Sequence, residues 1–370
     1  MNQKMSIRIG TRASKLAMLQ TQSIITRLHQ QWPALDIQIE QIHTLGDRNT
    51  TMSLSAIAAD GVFVMEIERA LLEGRIDLAV HSLKDLPTAQ PTGLHTCIVG
   101  GREDARDVLV WSEQYASFKD GIVKSQGGDK PRPYPTTNEA PNDVQGRGGA
   151  CPRPGKTGDG VQSPLSLRIG TCSLRRTAQL RALLPQVEIL PLRGNVDTRL
   201  RKLDAGEYDG IVLAAAGLHR LGAHERVAQR ITYLPFDVIL PAPGQGALAL
   251  EMRDEASTRE LVAPLRDSAI AAATSAERMF MRRLGAGCYL PIAAFGEIQQ
   301  ERLSLQGLVI SLDGQEQVRV RSSIPWTAHT SIEYAEQLGV RLAEQALEQG
   351  AAAIIATVNE GRVREHASLD

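Results

Sequence analysis

Cysteine is scarce in this chain: 370 residues contain only four, Cys97, Cys151, Cys172 and Cys288. They form no CxxC pair and have no metal-ligand spacing, and His43, His81 and His219 make no metal-like pattern either. A zinc site or a disulfide framework is therefore not expected, and the usage fits a reducing compartment. An excess of either charge is also missing. Lysine and arginine total 41 against 42 aspartates and glutamates, a formal net charge of −1. That argues against a general nucleic-acid or anionic-membrane binder, so any anion recognition must come from arginines gathered locally. Long apolar runs are absent too. No stretch approaches the roughly 18 apolar residues of a membrane span, and the opening MNQKMSIRIG lacks the apolar run of a signal peptide. The expectation is a cytoplasmic protein. No P-loop or GxGxxG follows a strand, which disfavours a nucleotide. What is present is an ordinary globular composition, 42% apolar and 22% charged, in a chain long enough for two or three domains.

The sequence echoes itself. RIGTRASKLA at 8–17 returns as RIGTCSLRRT at 168–177, and LLEGRIDLAV at 71–80 returns, in the same order, as LDAGEYDGIV at 203–212. Each opening unit reads as a short strand, a Gly-Thr turn and a polar helix start. Each closing unit reads as a helix ending near Gly, a turn and a buried strand. Two α/β lobes of related design follow, each with a largely parallel sheet.

Between them, residues 125–164 hold seven prolines and eight glycines, with Val144 and Val161 as the only branched aliphatics. Such a stretch cannot bury enough apolar surface to offset its ordering entropy. It reads as a disordered surface insertion, with Cys151 incidental in it. After residue 268 the texture changes. TSAERMFMRRLG suggests a capping box, Thr274 with Glu277, and a helix stopped at Gly285. Strand-like runs follow at 290–297, 303–311 and 316–322, the last two joined at Asp313-Gly314. A helical stripe, Ile332, Ala335, Leu338, Leu342 and Ala346, ends at Gly350 before AAIIATV, which reads as a strand. This is a small α+β domain with Cys288 on the loop between its first helix and first strand. The division expected is 1–104 with 245–265 for the first lobe, 105–240 for the second with an insertion at about 113–165, and 268–370 for the third domain.

Open α/β sheets bind ligands at the carboxyl ends of their strands. Arg12 and Ser14 follow the opening strand of the first lobe, and AVHSLKDLP runs off a buried strand into Ser82, Lys84 and Asp85. In the second lobe, Thr171, Ser173, Arg175 and Arg176 stand at the matching turn, followed by Arg193, Arg199 and Arg220. Taken singly, each has an ordinary structural role. Ser82, Ser173 and Asp85 can cap helices, and Arg199 with Arg201 can be a helix face. Six arginines at strand ends of two lobes instead suggest a cleft for a ligand rich in carboxylates or phosphates, because the guanidinium fork matches a carboxylate.

The set RIGTRAS, AVHSLKDLP, IGTCSLRR, LRGNVDTRL, LAAAGLHRLG, PGQGALALE and GAGCYLPI, in this order, resembles the hydroxymethylbilane synthase family, also called porphobilinogen deaminases. The resemblance spans nearly the whole chain apart from the 113–165 region. It implies three domains: two α/β lobes like those of periplasmic binding proteins, and an α+β domain carrying the cofactor cysteine. It implies a transferase of porphyrin biosynthesis that joins four porphobilinogens into hydroxymethylbilane, releasing ammonia. It further implies one dipyrromethane cofactor per chain, held by a thioether to Cys288, where Arg282 and Arg283 nearby favour the thiolate. Asp85 matches the family's catalytic aspartate. Lys84, Asp85, Ser173, Arg175 and Arg176 match cofactor-binding positions, and Arg12, Ser14, Ser82, Thr171, Arg193, Arg199 and Arg220 match positions gripping substrate carboxylates. The partner implied is porphobilinogen alone, with a monomeric chain. Two departures stand out. AADGVFVME at 58–66 has Asp60 and Met65 where the family's loop carries lysines, and Cys172 stands where serine is common.

Two other classes of protein were open to the residues alone. A two-lobed binder of a small anion, without catalysis, would share the repeat architecture but has no use for a third domain with Cys288. A thiol hydrolase would need a base near Cys288, and no neighbouring histidine is visible in the sequence.

Overall fold

The structure, a computed structural model, describes residues 6–42, 64–120, 166–285 and 290–367. His43, Asp60, Cys151 and Cys288 lie outside the described residues, as does the proline- and glycine-rich stretch 125–164. The strands are β1 (Ser6–Thr11), β2 (Asp36–Gln41), β3 (Leu78–Ser82), β4 (Leu94–Val99), β5 (Asp107–Trp111), β6 (Arg168–Gly170) and β7 (Glu188–Leu190). They continue with β8 (Gly210–Ala214), β9 (Ile231–Tyr233), β10 (Leu248–Arg253), β11 (Ile292–Gln299), β12 (Arg302–Ile310) and β13 (Gln317–Pro325).

The sequence echo is an architectural repeat. One sheet runs β2-β1-β3-β10-β4 and a second runs β7-β6-β8-β5-β9. In each, a central strand pairs in parallel with two neighbours, β1 with β2 and β3, β6 with β7 and β8. In each, one antiparallel strand is inserted next, β10 in the first sheet and β5 in the second. The chain therefore crosses between the sheets twice, through 100–106 and 234–247. Strands β3, β5 and β8 read as near-continuous apolar runs because both of their faces are covered.

The repeated glycine has a packing reason. A Cβ at Gly10 would come within 2.3 Å of Ile76 Cδ1, and one at Gly170 within 2.8 Å of Tyr208 Cδ1. Each opening strand thus accepts a bulky residue from its own closing unit. The helices Met65–Leu72 and Val196–Asp204 both stop before a left-handed glycine, Gly74 (φ 68°) and Gly206 (φ 76°), as the echo required.

The C-terminal part is an antiparallel sheet, β11-β12-β13, packed on the helices Ser268–Arg283 and Ile332–Ala346 around Phe280, Ile292, Leu305 and Leu338. The Asp313-Gly314 hairpin forms, with Ser311 N donating to Glu316 O at 2.8 Å. A separate cluster that includes Ala178, Leu240, Ala293, Phe295 and Leu308, with Phe236 stacked on Phe295 at 3.9 Å, joins this sheet to the second lobe.

Three expectations need correction. The first helix of this domain starts at Ser268 under an Asp267 cap, not at Thr274. Thr274 Oγ1 donates back to Ile270 O, and Glu277 points into a buried ion pair, so no capping box forms. AAIIATV is not a strand. After the left-handed Gly350 (φ 104°) the chain re-enters a helix, Ala352–Ala367, and Ala351, Ile354 and Val358 reach the core at helical spacing. Finally, the segment opening the insertion, Glu113–Asp120, is a 3₁₀ helix. Tyr115 and Phe118 pack there, and Phe118 sits edge-on to Trp111 at 5.8 Å, which gives those eight residues the apolar anchor that 125–164 lacks.

Candidate active site

The described site residues predicted from the sequence lie at the carboxyl ends of parallel strands or on the turns and helices that follow them. Arg12 and Ser14 follow β1, Ser82 ends β3 with Lys84 and Asp85 just after it, and Thr171, Ser173, Arg175 and Arg176 follow β6. Arg193 and Arg199 come after β7, and Arg220 after β8. The local folding explains the placement. Ser14 and Ser173 cap the helices Lys15–Gln31 and Leu174–Leu183, their Oγ atoms accepting from Ala17 N at 3.3 Å and Arg176 N at 3.5 Å. The ordinary capping role therefore holds for both. Ser82 does not cap with its side chain; its Oγ accepts from Gln20 Nε2 at 2.9 Å. Thr171 is buried, and its Oγ1 accepts from Ser173 N at 3.1 Å. Asp85 is no N-cap either. It ends the 3₁₀ turn Leu83–Asp85, and its side chain is exposed.

Charge coupling joins the two lobes at this point. Burial pulls the Lys84 ammonium down to about 8. Asp85 and Asp107 favour its charge, while Arg176 and Arg175 oppose it. Arg199 is lowered by burial and by Arg176, and is held up by Cys172 and Asp85. Lys84 and Asp85 come from the first lobe; Arg175, Arg176 and Arg199 come from the second. Arg220 is lowered by burial, against the charge of Glu103, and donates through Nη2 to Gly246 O at 2.6 Å on the second crossing. Arg12 and Arg193 stand partly buried at their strand ends.

Arg175 and Arg176 are placed differently from the simple expectation of two carboxylate-gripping arginines. Both are buried, and both pair with Asp107, Arg175 Nη1 at 2.6 Å and Arg176 Nη2 at 2.7 Å. Burial alone would raise the Asp107 carboxyl; the two arginines outweigh it and hold that carboxyl far below the usual carboxylate range. Sequence reading missed Asp107, and also Gln245, whose Oε1 accepts from Lys84 Nζ at 3.5 Å. The signal for Asp107 was an acidic residue opening an otherwise apolar buried strand, DVLVW.

The donor set suits a polycarboxylate. Lys84, Arg175, Arg176 and Arg199 outnumber Asp85 and Asp107, so the place where the two lobes meet carries excess positive charge. A dipyrromethane group, with two carboxylates on each pyrrole, fits it. Among the described residues, no group of three or more His, Cys, Asp or Glu could hold a metal ion. No described helix is long and apolar enough to cross a membrane.

The family model for the porphobilinogen deaminase dipyrromethane-cofactor-binding domain matches residues 7–125 and 154–260, and the model for the porphobilinogen deaminase C-terminal domain matches 271–348. The chain belongs to the porphobilinogen deaminase family. Relatives at about 40% identity align over nearly the whole chain. The porphobilinogen deaminase of Syntrophotalea carbinolica is 40% identical over 355 residues, covering 96% of each chain. That of Syntrophus aciditrophicus is 40% identical over 357 residues, 96% of this chain and 100% of its own. That of Deinococcus radiodurans is 39% identical over 359 residues, 96% and 99%. The chain is accordingly a transferase with the porphobilinogen deaminase cofactor-binding domain. The break in the family match, 126–153, falls inside the proline- and glycine-rich stretch.

Proposed function

We propose that this chain joins four porphobilinogens head to tail, with loss of ammonia, to give hydroxymethylbilane for tetrapyrrole biosynthesis. The observation that carries the reading is the meeting of Lys84 and Asp85 with Arg175, Arg176 and Arg199 across the two lobes. Dipyrromethane, when bound, supplies the pyrrole α-carbon to which the first substrate is joined. Cys288 is its attachment point, one group per chain. The helix Ser268–Arg283 ends a few residues before this cysteine and β11 begins a few residues after it.

Asp85 is the catalytic residue. Its carboxylate, beside the substrate pyrrole N–H, stabilises the positive charge that develops as ammonia leaves, and it takes part in the proton transfers of each condensation. Lys84 holds a carboxylate of the dipyrromethane group as a point charge, and Ser173 serves the same group. Arg12, Arg193, Arg199 and Arg220, with Ser14, Ser82 and Thr171, hold the substrate's acetate and propionate groups. Because every porphobilinogen brings two carboxylates, a nearly neutral chain needs its cations concentrated here. We read the first lobe as 1–104 with 245–265, the second as 105–240 and the third domain as 268–370, working as a monomer in the cytoplasm.

The intact mass of the purified protein tests this. An adduct of two linked pyrrole units, lost in Cys288→Ala, supports the synthase. Protein that binds porphobilinogen without any adduct or turnover would instead be the small-anion binder.

A further inference from the structure

Asp107 opens β5 with a side chain wholly buried, and both of its oxygens are in use. Oδ2 accepts from Arg175 Nη1 at 2.6 Å. Oδ1 accepts from Arg176 Nε at 3.1 Å, from Arg176 Nη2 at 2.7 Å and from Gln245 Nε2 at 3.0 Å. Gln245, itself fully buried, extends the hold by accepting from Lys84 Nζ and donating to Ala105 O at 2.8 Å. In the sequence the two arginines look interchangeable. Asp107 makes them different. Arg176 sets its Nε–Nη2 edge, the edge that pairs side-on with a carboxylate, on Asp107, and its Nη1 on Val212 O at 3.1 Å. Arg175 gives only Nη1, to Asp107 and to Leu240 O at 2.8 Å. Its Nε–Nη2 edge has no acceptor among the described residues, and neither atom is a sealed, unsatisfied donor.

We propose that Asp107 is the positioning residue of the carboxylate-binding floor, locking Arg176 as its own counter-charge and leaving the Nε–Nη2 edge of Arg175 for a carboxylate of the dipyrromethane group. Three consequences follow from charge and geometry. Without Asp107, two neighbouring guanidiniums would face each other unpaired in a buried place. Arg175 would lose the contact that fixes its rotation. Lys84 would lose one of the two anions that favour its protonated form. The inference rests on the cleft being the site of that group, and its test separates the two claims.

The experiment compares Arg175→Lys, Arg176→Lys and Asp107→Asn with the parent by intact mass, scoring the fraction that carries the two-pyrrole adduct. Lysine keeps the charge but lacks the fork, so Arg175→Lys should load at least about tenfold less than Arg176→Lys. Asp107→Asn should load as poorly as Arg175→Lys. Its Lys84 should also lose its proton at lower pH than in the parent, read from the pH dependence of amine labelling at Lys84 by mass spectrometry. A purely structural role for Asp107 would leave that titration in place. Equal loading of the two lysine variants, or poorer loading of Arg176→Lys, overturns the inference. So does an Asp107→Asn protein that loads like the parent with Lys84 titrating unchanged. If Asp107→Asn does not fold, the lysine pair decides. If the parent itself carries no adduct, the functional reading falls and this inference falls with it.

Discussion

Arg102 and Glu277 form a buried two-pronged ion pair, Nη1 to Oε1 at 2.8 Å and Nη2 to Oε2 at 3.2 Å. Arg102 lies on the first crossing between the lobes, and Glu277 on the helix that leads to the Cys288 segment. Glu277 also accepts from Gly244 N on the second crossing, at 2.6 Å, and from Gly296 N of β11, at 2.7 Å. Arg102 in turn donates through Nε to Gln245 O at 3.0 Å. One carboxylate thus ties both crossings and the C-terminal sheet to the helix that precedes the proposed attachment cysteine in sequence. With all its neighbours supplied, the charge is tolerated at full burial.

Removing one member of that pair should be costly. Arg102→Ala leaves Glu277 charged, fully buried and missing its counter-ion, a situation that usually costs about 3–5 kcal/mol. Urea unfolding measures it. Because the two residues share one interaction, the double variant with Glu277→Gln should lose less than the sum of the singles. A loss below about 1 kcal/mol for Arg102→Ala would show that solvent reaches Glu277 after all.

Much of this arrangement was legible in the sequence, and the gaps have physical causes. The echoed RIGT units and their closing units announced strand–turn–helix repeats, because a glycine, a capping serine and a left-handed terminator are local requirements. Strand-end logic then placed Lys84, Asp85, Arg175 and Arg199 together without any structure. The roles of Asp107, Gln245 and Glu277 were invisible because their partners lie far off in sequence, 68 residues for Asp107–Arg175 and 175 for Arg102–Glu277. The Thr274–Glu277 spacing imitates a capping box, but Glu277 is claimed by long-range donors, so the local rule loses. In AAIIATV the β-branched residues suggested a strand. The deciding signal was the spacing of Ala351, Ile354 and Val358, which only a helix can turn toward one core.

Asp85→Asn should leave the fold and the two-pyrrole adduct intact while turnover collapses. The amide keeps the shape of the side chain, and Asp85 is exposed at the end of its 3₁₀ turn, so packing is not at stake. What disappears is the negative charge facing the developing cation, commonly a loss on the order of a hundredfold or more in rate. Bilane formation by this variant at near-parent rate removes Asp85 from the mechanism.

Excising 125–164 through a short Gly-Ser linker should be neutral, whereas a deletion that starts at 113 should not. Closure entropy changes by only about 0.6 kcal/mol per doubling of loop length, and the composition of 125–164 offers no core. Residues 113–120 do carry apolar anchors: Tyr115 and Phe118 pack near Trp111, and Lys119 O accepts from Thr232 Oγ1 at 2.6 Å. Losing them should cost on the order of 2 kcal/mol or more, in line with truncation of partly buried aromatics. Thermal melts of the two deletions, side by side with the parent, distinguish the cases. Equal melting temperatures would mean that Tyr115 and Phe118 add nothing to the second lobe.

The last prediction concerns pH. Burial lowers the Lys84 ammonium to about 8, disfavouring its charge more than Asp85 and Asp107 restore it. A carboxylate arriving next to Lys84 favours the charged form, so binding must be accompanied by proton uptake above that pH. Affinity for a carboxylate-bearing ligand should therefore fall as pH rises through 8, by up to about tenfold per pH unit for a single proton. Stability runs the other way. Between the folded value of about 8 and the ordinary lysine value of 10.5, the unfolded chain binds more protons than the folded one. The contribution of Lys84 to stability thus improves as pH rises through that window. Protein produced without porphobilinogen can be loaded with it between pH 7 and 10, and the parent compared with Lys84→Arg. The guanidinium stays charged throughout, and the thiolate dependence of Cys288 is common to both. The ratio of parent to variant loading rates should decline above pH 8. A ratio that stays flat to pH 10 would show that Lys84 holds no carboxylate when the group is taken up.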